Sequence, residues 1–160
     1  MLQPEILTVR ELLQCYVDIL DELRKRKIVR TANSPLGDYT EWLIAQKLNL
    51  TLSVNSTAGY DAIDTLGARY QIKSRRVHPA NQSRQLSPIR DLAGQKFDYL
   101  IAVIFNNDFS IQQAVKIPHM VIAEYASYRS HVNGSILHIR GAVLKDSRVE
   151  DLTAILQSQE

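Results

Sequence analysis

A single cysteine, Cys15, occurs in 160 residues, so the chain cannot build a disulfide framework or a cysteine-based zinc cluster. Its position on an apolar stripe predicts a small buried hydrophobe. No apolar run approaches the ~18 residues a bilayer span requires, and no secretory leader pattern opens the chain, so the expected setting is cytoplasmic, with no membrane contact. The six glycines stand singly, which leaves no glycine-rich loop to cradle a phosphate or a dinucleotide cofactor. No Gly-x-Ser-x-Gly elbow marks a serine nucleophile. His78, His119, His131 and His138 lack the close spacing of a metal-ligating pair. Excess charge is scarce too: 19 Lys+Arg stand against 17 Asp+Glu, for a formal net charge of +2, and the total alone argues for no partner.

The distribution of charge says more than the total. From Thr65 to Arg90 the chain carries Arg69, Lys73, Arg75, Arg76, Arg84 and Arg90 and no acidic residue. A second basic cluster, Arg24 to Lys27 with Arg30, follows the first apolar-periodic stretch. Gathered in this way, the basic residues either face a polyanion or form two solvated surfaces. The length fits one domain, and 45% hydrophobic residues suffice for a core.

Thr8 and Glu11 have capping-box spacing, and Leu12, Leu13, Tyr16, Val17, Leu20 and Leu23 follow at helical period, predicting a helix over 9–27. Ser34-Pro35-Leu36-Gly37 turns into a second, largely buried helix that ends near Asn49. The period then becomes strand-like. Strands are expected at 50–54, 60–64 and 68–75, the last two joined by the turn Thr65-Leu66-Gly67 after a polar connection at 55–59. A polar loop over 77–87 and a short helix at 89–92 precede Phe97 to Phe105, an unbroken apolar run of the kind found in a central strand covered on both faces. A hairpin partner at 109–117, a helix from Pro118 to Tyr128, a strand at 135–140 and a helix at 149–157 complete the order. The reading is a single α/β domain, a mixed sheet flanked by helices.

Gln71 and Lys73 lie two apart on one strand and share a face, while Ile72 points the other way. Pairing Asp64 with Ala68 across the turn places Asp61 opposite Gln71. A carboxylate, an amide oxygen and an ammonium then meet on one patch of sheet. Phosphodiester hydrolysis draws on that combination: oxygen ligands hold a hard cation such as Mg²⁺, and a lysine positions water or offsets charge. A plain edge hairpin with polar outward residues fits the same spacing. Glu41 adds a carboxylate on a helix face shared with Ile44, Ala45 and Leu48, where burial demands a partner. Asp38 to Glu41 also has capping-box spacing, so Glu41 either serves the helix terminus or looks toward the hairpin.

A helix bearing a glutamate, the strand Gly59-Tyr60-Asp61-Ala62-Ile63-Asp64, a tight turn and Tyr70-Gln71-Ile72-Lys73-Ser74-Arg75-Arg76 resemble the PD-(D/E)XK nuclease superfamily. That superfamily includes restriction enzymes, Holliday-junction resolvases and Mrr-like endonucleases, and Gln-x-Lys in place of Glu-x-Lys is similar to the Mrr-like branch. The whole chain also looks like a bacterial family of similar length that brings no assigned activity with it. The resemblance spans Gly37 to Arg76 and implies a restriction-endonuclease-like core over 37–140 that cleaves DNA in restriction or repair. By position, Asp61, Glu41 and the Gln71 carbonyl oxygen would bind Mg²⁺ or Mn²⁺, and Lys73 would be the catalytic lysine. Two departures stand out: Tyr60 replaces the usual proline, and Gln71 is neutral, which favours one cation over two. Asp64 is a turn residue first, because alternation points it away from Asp61. In the loop after the motif, Arg75, Arg76 and Arg84 would contact phosphates and Asn81 or Gln85 base edges. Double-strand cleavage would call for a homodimer. The alternatives are a DNA-binding module that has lost catalysis and a small interaction protein.

Overall fold

The computed structural model describes residues 2–54 and 59–158. Its organising element is the apolar run, which forms strand β4 (Tyr99–Phe105). Leu100 to Phe105 are fully buried, because both faces of the strand are covered. On one side β4 pairs in parallel with β3 (Arg69–Arg76), and on the other antiparallel with β5 (Ile111–Pro118). Short strands β1 (Thr51–Leu52), β2 (Ala62–Ile63) and β8 (Glu150–Asp151) extend the sheet to six, in the order β1-β2-β3-β4-β5-β8. A separate ribbon joins β6 (Ser127–Arg129) to β7 (Gly134–Ile136). The chain is thus an α/β domain built on a mixed sheet.

Helix α2 (Leu36–Leu48) and helix α4 (Thr153–Gln157) cover one face. There Leu43, Ile44, Leu152 and Leu156 pack on Tyr70, Ile72, Ile101 and Val103. Helix α3 (His119–Tyr125) and the segment between β3 and β4 cover the other, where Val77, Leu86, Ile89, Phe97 and Val121 meet Leu100, Ala102 and Ile104. Helix α1 (Val9–Lys25) opens with the Thr8–Glu11 capping box, and Leu20 is its one buried residue. Among the described residues no helix is long and apolar enough to cross a membrane.

Several elements differ from the sequence expectation for identifiable reasons. Helix α1 stops at Lys25 rather than residue 27, since Lys27 takes a left-handed conformation at φ 61°. Of 50–54 only two residues pair, and residues 55–58 of the polar connection lie outside the described residues. No α-helix forms at 89–92: Ile89 exchanges backbone bonds with Ser135, and a 3₁₀ turn follows at Leu92–Gly94. Helix α3 ends at Tyr125 because the next residues enter the ribbon. The strand expected at 135–140 is regular only to Ile136; beyond it Leu137 and Ile139 bond Leu86 and Arg84. At 149–157 the chain first forms edge strand β8, then α4. Cys15 is half-buried rather than enclosed.

A candidate active site at the edge of the sheet

The hairpin of β2 and β3 builds the site. Its turn closes through Gly67 at φ +90°, a conformation that favours glycine, and the Asp64 N–H donates to the Ala68 carbonyl at 3.0 Å. The register pairs Ala62 with Tyr70, which places Asp61 opposite Gln71 as the alternation requires. Only two residues of β2 pair, so the ladder ends at Asp61, whose N–H bonds the Tyr70 carbonyl at 2.7 Å. The Asp61 side chain takes over from there. Its Oδ2 accepts the Ile72 N–H at 2.7 Å and the Gln71 Nε2 at 2.6 Å. Just before it, Gly59 lies against Lys96, where an added Cβ would come within 2.5 Å of the lysine Cδ.

Side chains reach Asp61 from both faces of the sheet. Tyr70 and Ile72 point into the α2 side. Gln71 and Lys73 alternate to the opposite face. Lys73 Nζ donates to Ser87 Oγ at 2.9 Å, in the loop that follows β3. From the α2 side comes Glu41, whose side chain is 18% exposed and ion-paired with Arg30. The capping role considered for Glu41 is not realised: the helix has Pro35 as N-cap and no side-chain cap bond. Asp38 instead accepts the backbone N–H groups of Arg30 and Thr31 at 2.8 and 2.7 Å, fixing the connector that presents Arg30.

Burial holds the Glu41 carboxyl above its ordinary value, the Asp61 charge adds to this, and Arg30 opposes it. Asp61 is likewise held up by burial, against the Ile72 N–H, the Lys73 and Arg30 charges and the Gln71 amide. Burial lowers Lys73, with Asp61 opposing and Arg90 adding to the effect. The two carboxylates therefore share a half-buried region that is short of positive charge, even with Arg30 and Lys73 in place.

The four residues do not open onto one cavity. Arg30, Asp38, Glu41, Tyr60 and Asp61 line a cleft of about 610 Å³. Gln71 and Lys73, with Gly59, Arg90 and Lys96, line another of about 340 Å³. The Gln71–Asp61 bond spans from one lining to the other. Oxygen ligands suit a hard cation, and Asp61 spends only Oδ2 on the Ile72 and Gln71 donors. Asp61 and Glu41 thus offer two carboxylates to one cleft, whereas the Gln71 amide lines the other. Among the described residues no group of three His, Cys, Asp or Glu side chains is placed to hold a metal ion.

The loop residues diverge. Arg75 continues the Lys73 face and lines a groove with Tyr16 and Gln85, which is exposed. Arg76 lies 4.7 Å from the centroid of Phe109 and donates to the Asn107 carbonyl at 3.0 Å. Arg84 points elsewhere, bonding Gln112 at 2.9 Å, Gln113 at 3.3 Å and the Ile139 carbonyl at 3.4 Å. Asn81 folds into a tight turn with His78, and its side chain accepts the Ser83 N–H at 3.1 Å. Sequence reasoning had not placed Arg30 or Ser87 at the site. The acid-free stretch through Arg90 was the available signal for Ser87, and nothing local signalled Arg30. No protein-family model and no curated protein matches the chain.

Proposed function

We propose that the chain is a metal-dependent nuclease of the PD-(D/E)XK, restriction-endonuclease-like kind that hydrolyses DNA phosphodiester bonds in restriction or repair. The observation that carries this reading is the approach of Glu41, Gln71 and Lys73 to Asp61, from both faces of the sheet, where β2 leaves β3. Asp61 and Glu41, with the Gln71 carbonyl oxygen, would hold Mg²⁺ or Mn²⁺. When bound, the cation would polarise the phosphoryl group and acidify its water. The protein's own part is positional: the Ile72 N–H and the Gln71 amide fix Asp61, and Ser87 holds Lys73 at the rim of its cleft. Lys73 orients the attacking water and offsets developing charge. Arg75 and Arg90 stand where they would draw in a phosphate backbone.

The test is cleavage of supercoiled plasmid and branched DNA with Mg²⁺ or Mn²⁺, by wild type and Lys73→Ala purified in parallel. Loss of cleavage in the variant with unchanged circular dichroism supports the assignment, and equal cleavage by both refutes it. The Arg30–Glu41 ion pair favours a second reading. A resident guanidinium supplies positive charge where a cation would sit, as in a DNA-binding module without catalysis. That reading predicts salt-sensitive DNA binding and no metal-dependent cleavage.

A further inference from the structure

A cavity of about 870 Å³, larger than either cleft of the candidate site, lies where the β6–β7 ribbon meets helix α3. Its size falls within the ~300–1,000 Å³ of pockets that enclose small ligands. The ribbon is fastened to the loop after β3 by Ile89, which exchanges backbone bonds with Ser135 at 2.9 and 2.8 Å. Tyr128 and Ser135 are register partners, so their side chains share one face of the ribbon, and both line the cavity. From α3 come His119 and Met120. The His119 ring donates to the Leu92 carbonyl at 2.7 Å and packs edge-on against Phe97, which fixes that wall. Tyr128 and Met120 are 64% and 67% exposed, an aromatic ring and a thioether left open to a visitor. Ser135 is only 7% exposed, yet its hydroxyl has no hydrogen-bond partner among the described residues. A hydroxyl enclosed to that degree normally has one. Three lining residues, Asp91, Gln95 and Asn133, hold left-handed backbone at φ 48°, 45° and 46°, a strained conformation that gathers at binding sites.

What the cavity adjoins selects its occupant. Ile89, Arg90 and Asp91 line both this cavity and the cleft that holds Gln71 and Lys73, so the two are neighbours across one short ridge. On that ridge Lys96 answers the Asp91 charge at 3.0 Å, while the exposed Arg90 has no ion pair among the described residues. The ridge is therefore net positive, and it draws a phosphate that leads from Lys73 toward the cavity. An enclosure with an aromatic face and one unmet hydroxyl, beside a phosphate seat, suits a flat ring that also hydrogen-bonds. We infer that the cavity receives one unstacked nucleobase of the DNA strand whose phosphate lies at Lys73, with Tyr128 as its stacking face and Ser135 as its hydrogen-bond partner. The inference rests on the nuclease reading and narrows its substrate. An unpaired base enters without the cost of breaking a pair, so bulged, flapped or branched DNA is favoured over an intact duplex.

The experiment titrates the whole protein, in EDTA, into DNA hairpins that carry a single 2-aminopurine, either as a bulged nucleotide or paired with thymine. The bulged hairpin is expected to bind about tenfold more tightly, the scale of stacking one base, and its bound 2-aminopurine to become shielded from acrylamide quenching. Tyr128→Ala and, separately, Ala123→Trp, which fills the cavity from an exposed position, are expected to bind both hairpins alike and to leave the fluorophore quenchable, with unchanged circular dichroism. Equal binding of the two hairpins by wild type, a bound fluorophore as quenchable as the free one, or shielding that survives either substitution would each overturn the proposal. Plasmid cleavage with Mg²⁺ reads the nuclease assignment separately. Cleavage without shielding keeps that assignment and removes the role of the cavity, and shielding without cleavage does the reverse.

Discussion

Replacing Arg30 by methionine separates the counter-charge of the site from its packing. Methionine keeps much of the aliphatic stem and removes the guanidinium, which pairs with Glu41 and also donates to the Ser53 carbonyl at 3.1 Å. The Glu41 side chain is 18% exposed and that of Arg30 45%, so the pair falls between the fully solvated and the fully enclosed case. Solvated pairs contribute about 0–1 kcal/mol and removing one partner of an enclosed pair costs about 3–5 kcal/mol, so Arg30→Met should cost about 2 kcal/mol at neutral pH and low salt. Most of that loss comes from leaving Glu41 beside Asp61 without a cation. In a Glu41→Gln background the same substitution should cost only about 0.5 kcal/mol, giving a coupling of about 1.5 kcal/mol. Urea denaturation of the four proteins of the cycle, without divalent ions, measures it. Adding Mg²⁺ provides the second arm, because an ion between the carboxylates supplies the missing charge and should restore much of the stability of Arg30→Met. Equal losses in both backgrounds would show that Arg30 acts through its Ser53 bond or its stem, and the electrostatic account of the site would fail.

The other predictions follow from the same geometry. Glu41 is held above its ordinary value, so in the window between the two values the folded chain keeps a proton that the unfolded chain has lost. That stability is complete below the ordinary value and disappears as pH rises through the raised one. Glu41→Gln, which has no such proton, should gain on wild type as pH rises above the ordinary carboxylate range in metal-free buffer, and a difference that stays constant with pH would refute the shift. Arg84→Ala should lower stability by about 1–2 kcal/mol, since its guanidinium fastens the loop to Gln112, Gln113 and Ile139, and leave DNA affinity unchanged. Arg75→Ala should do the reverse, weakening DNA binding and flattening its salt dependence with little effect on the melting temperature. Filter binding across a salt series, paired with thermal denaturation, distinguishes the two arginines.

The central hairpin was legible because its signals are local. Alternation fixes which side chains share a face, Gly67 fixes the turn, and the register of Asp61 against Gln71 follows by counting. The apolar run of β4 was equally plain, since no other element needs six consecutive buried positions. What escaped depends on contacts distant in sequence. Arg30 reaches Glu41 only because Asp38 fastens the connector after α1, and no periodicity in either segment encodes that meeting. Strand β8 was hidden in a helical pattern: Leu152 and Leu156 have helical spacing, yet Glu150 and Asp151 pair with Lys116 and Val115 at the sheet edge. Arg84 looked like its neighbours Arg75 and Arg76 in composition, and only the fold shows that β5 occupies it.

The bond from the Ile72 N–H to Asp61 binds the fate of this residue to the architecture as well as to any chemistry. A sheet whose outer strand stops after two residues leaves a bare donor, and bare donors along an edge invite pairing with a stranger's strand. A lineage that abandoned cleavage would still be selected to keep an acceptor at this position, with asparagine as its nearest neutral substitute. Erosion should then begin at Lys73, whose one side-chain bond is to an exposed serine, and reach Asp61 last. Under the proposed function, loss of the lysine would therefore mark lost chemistry, whereas the aspartate would persist for the sake of the fold.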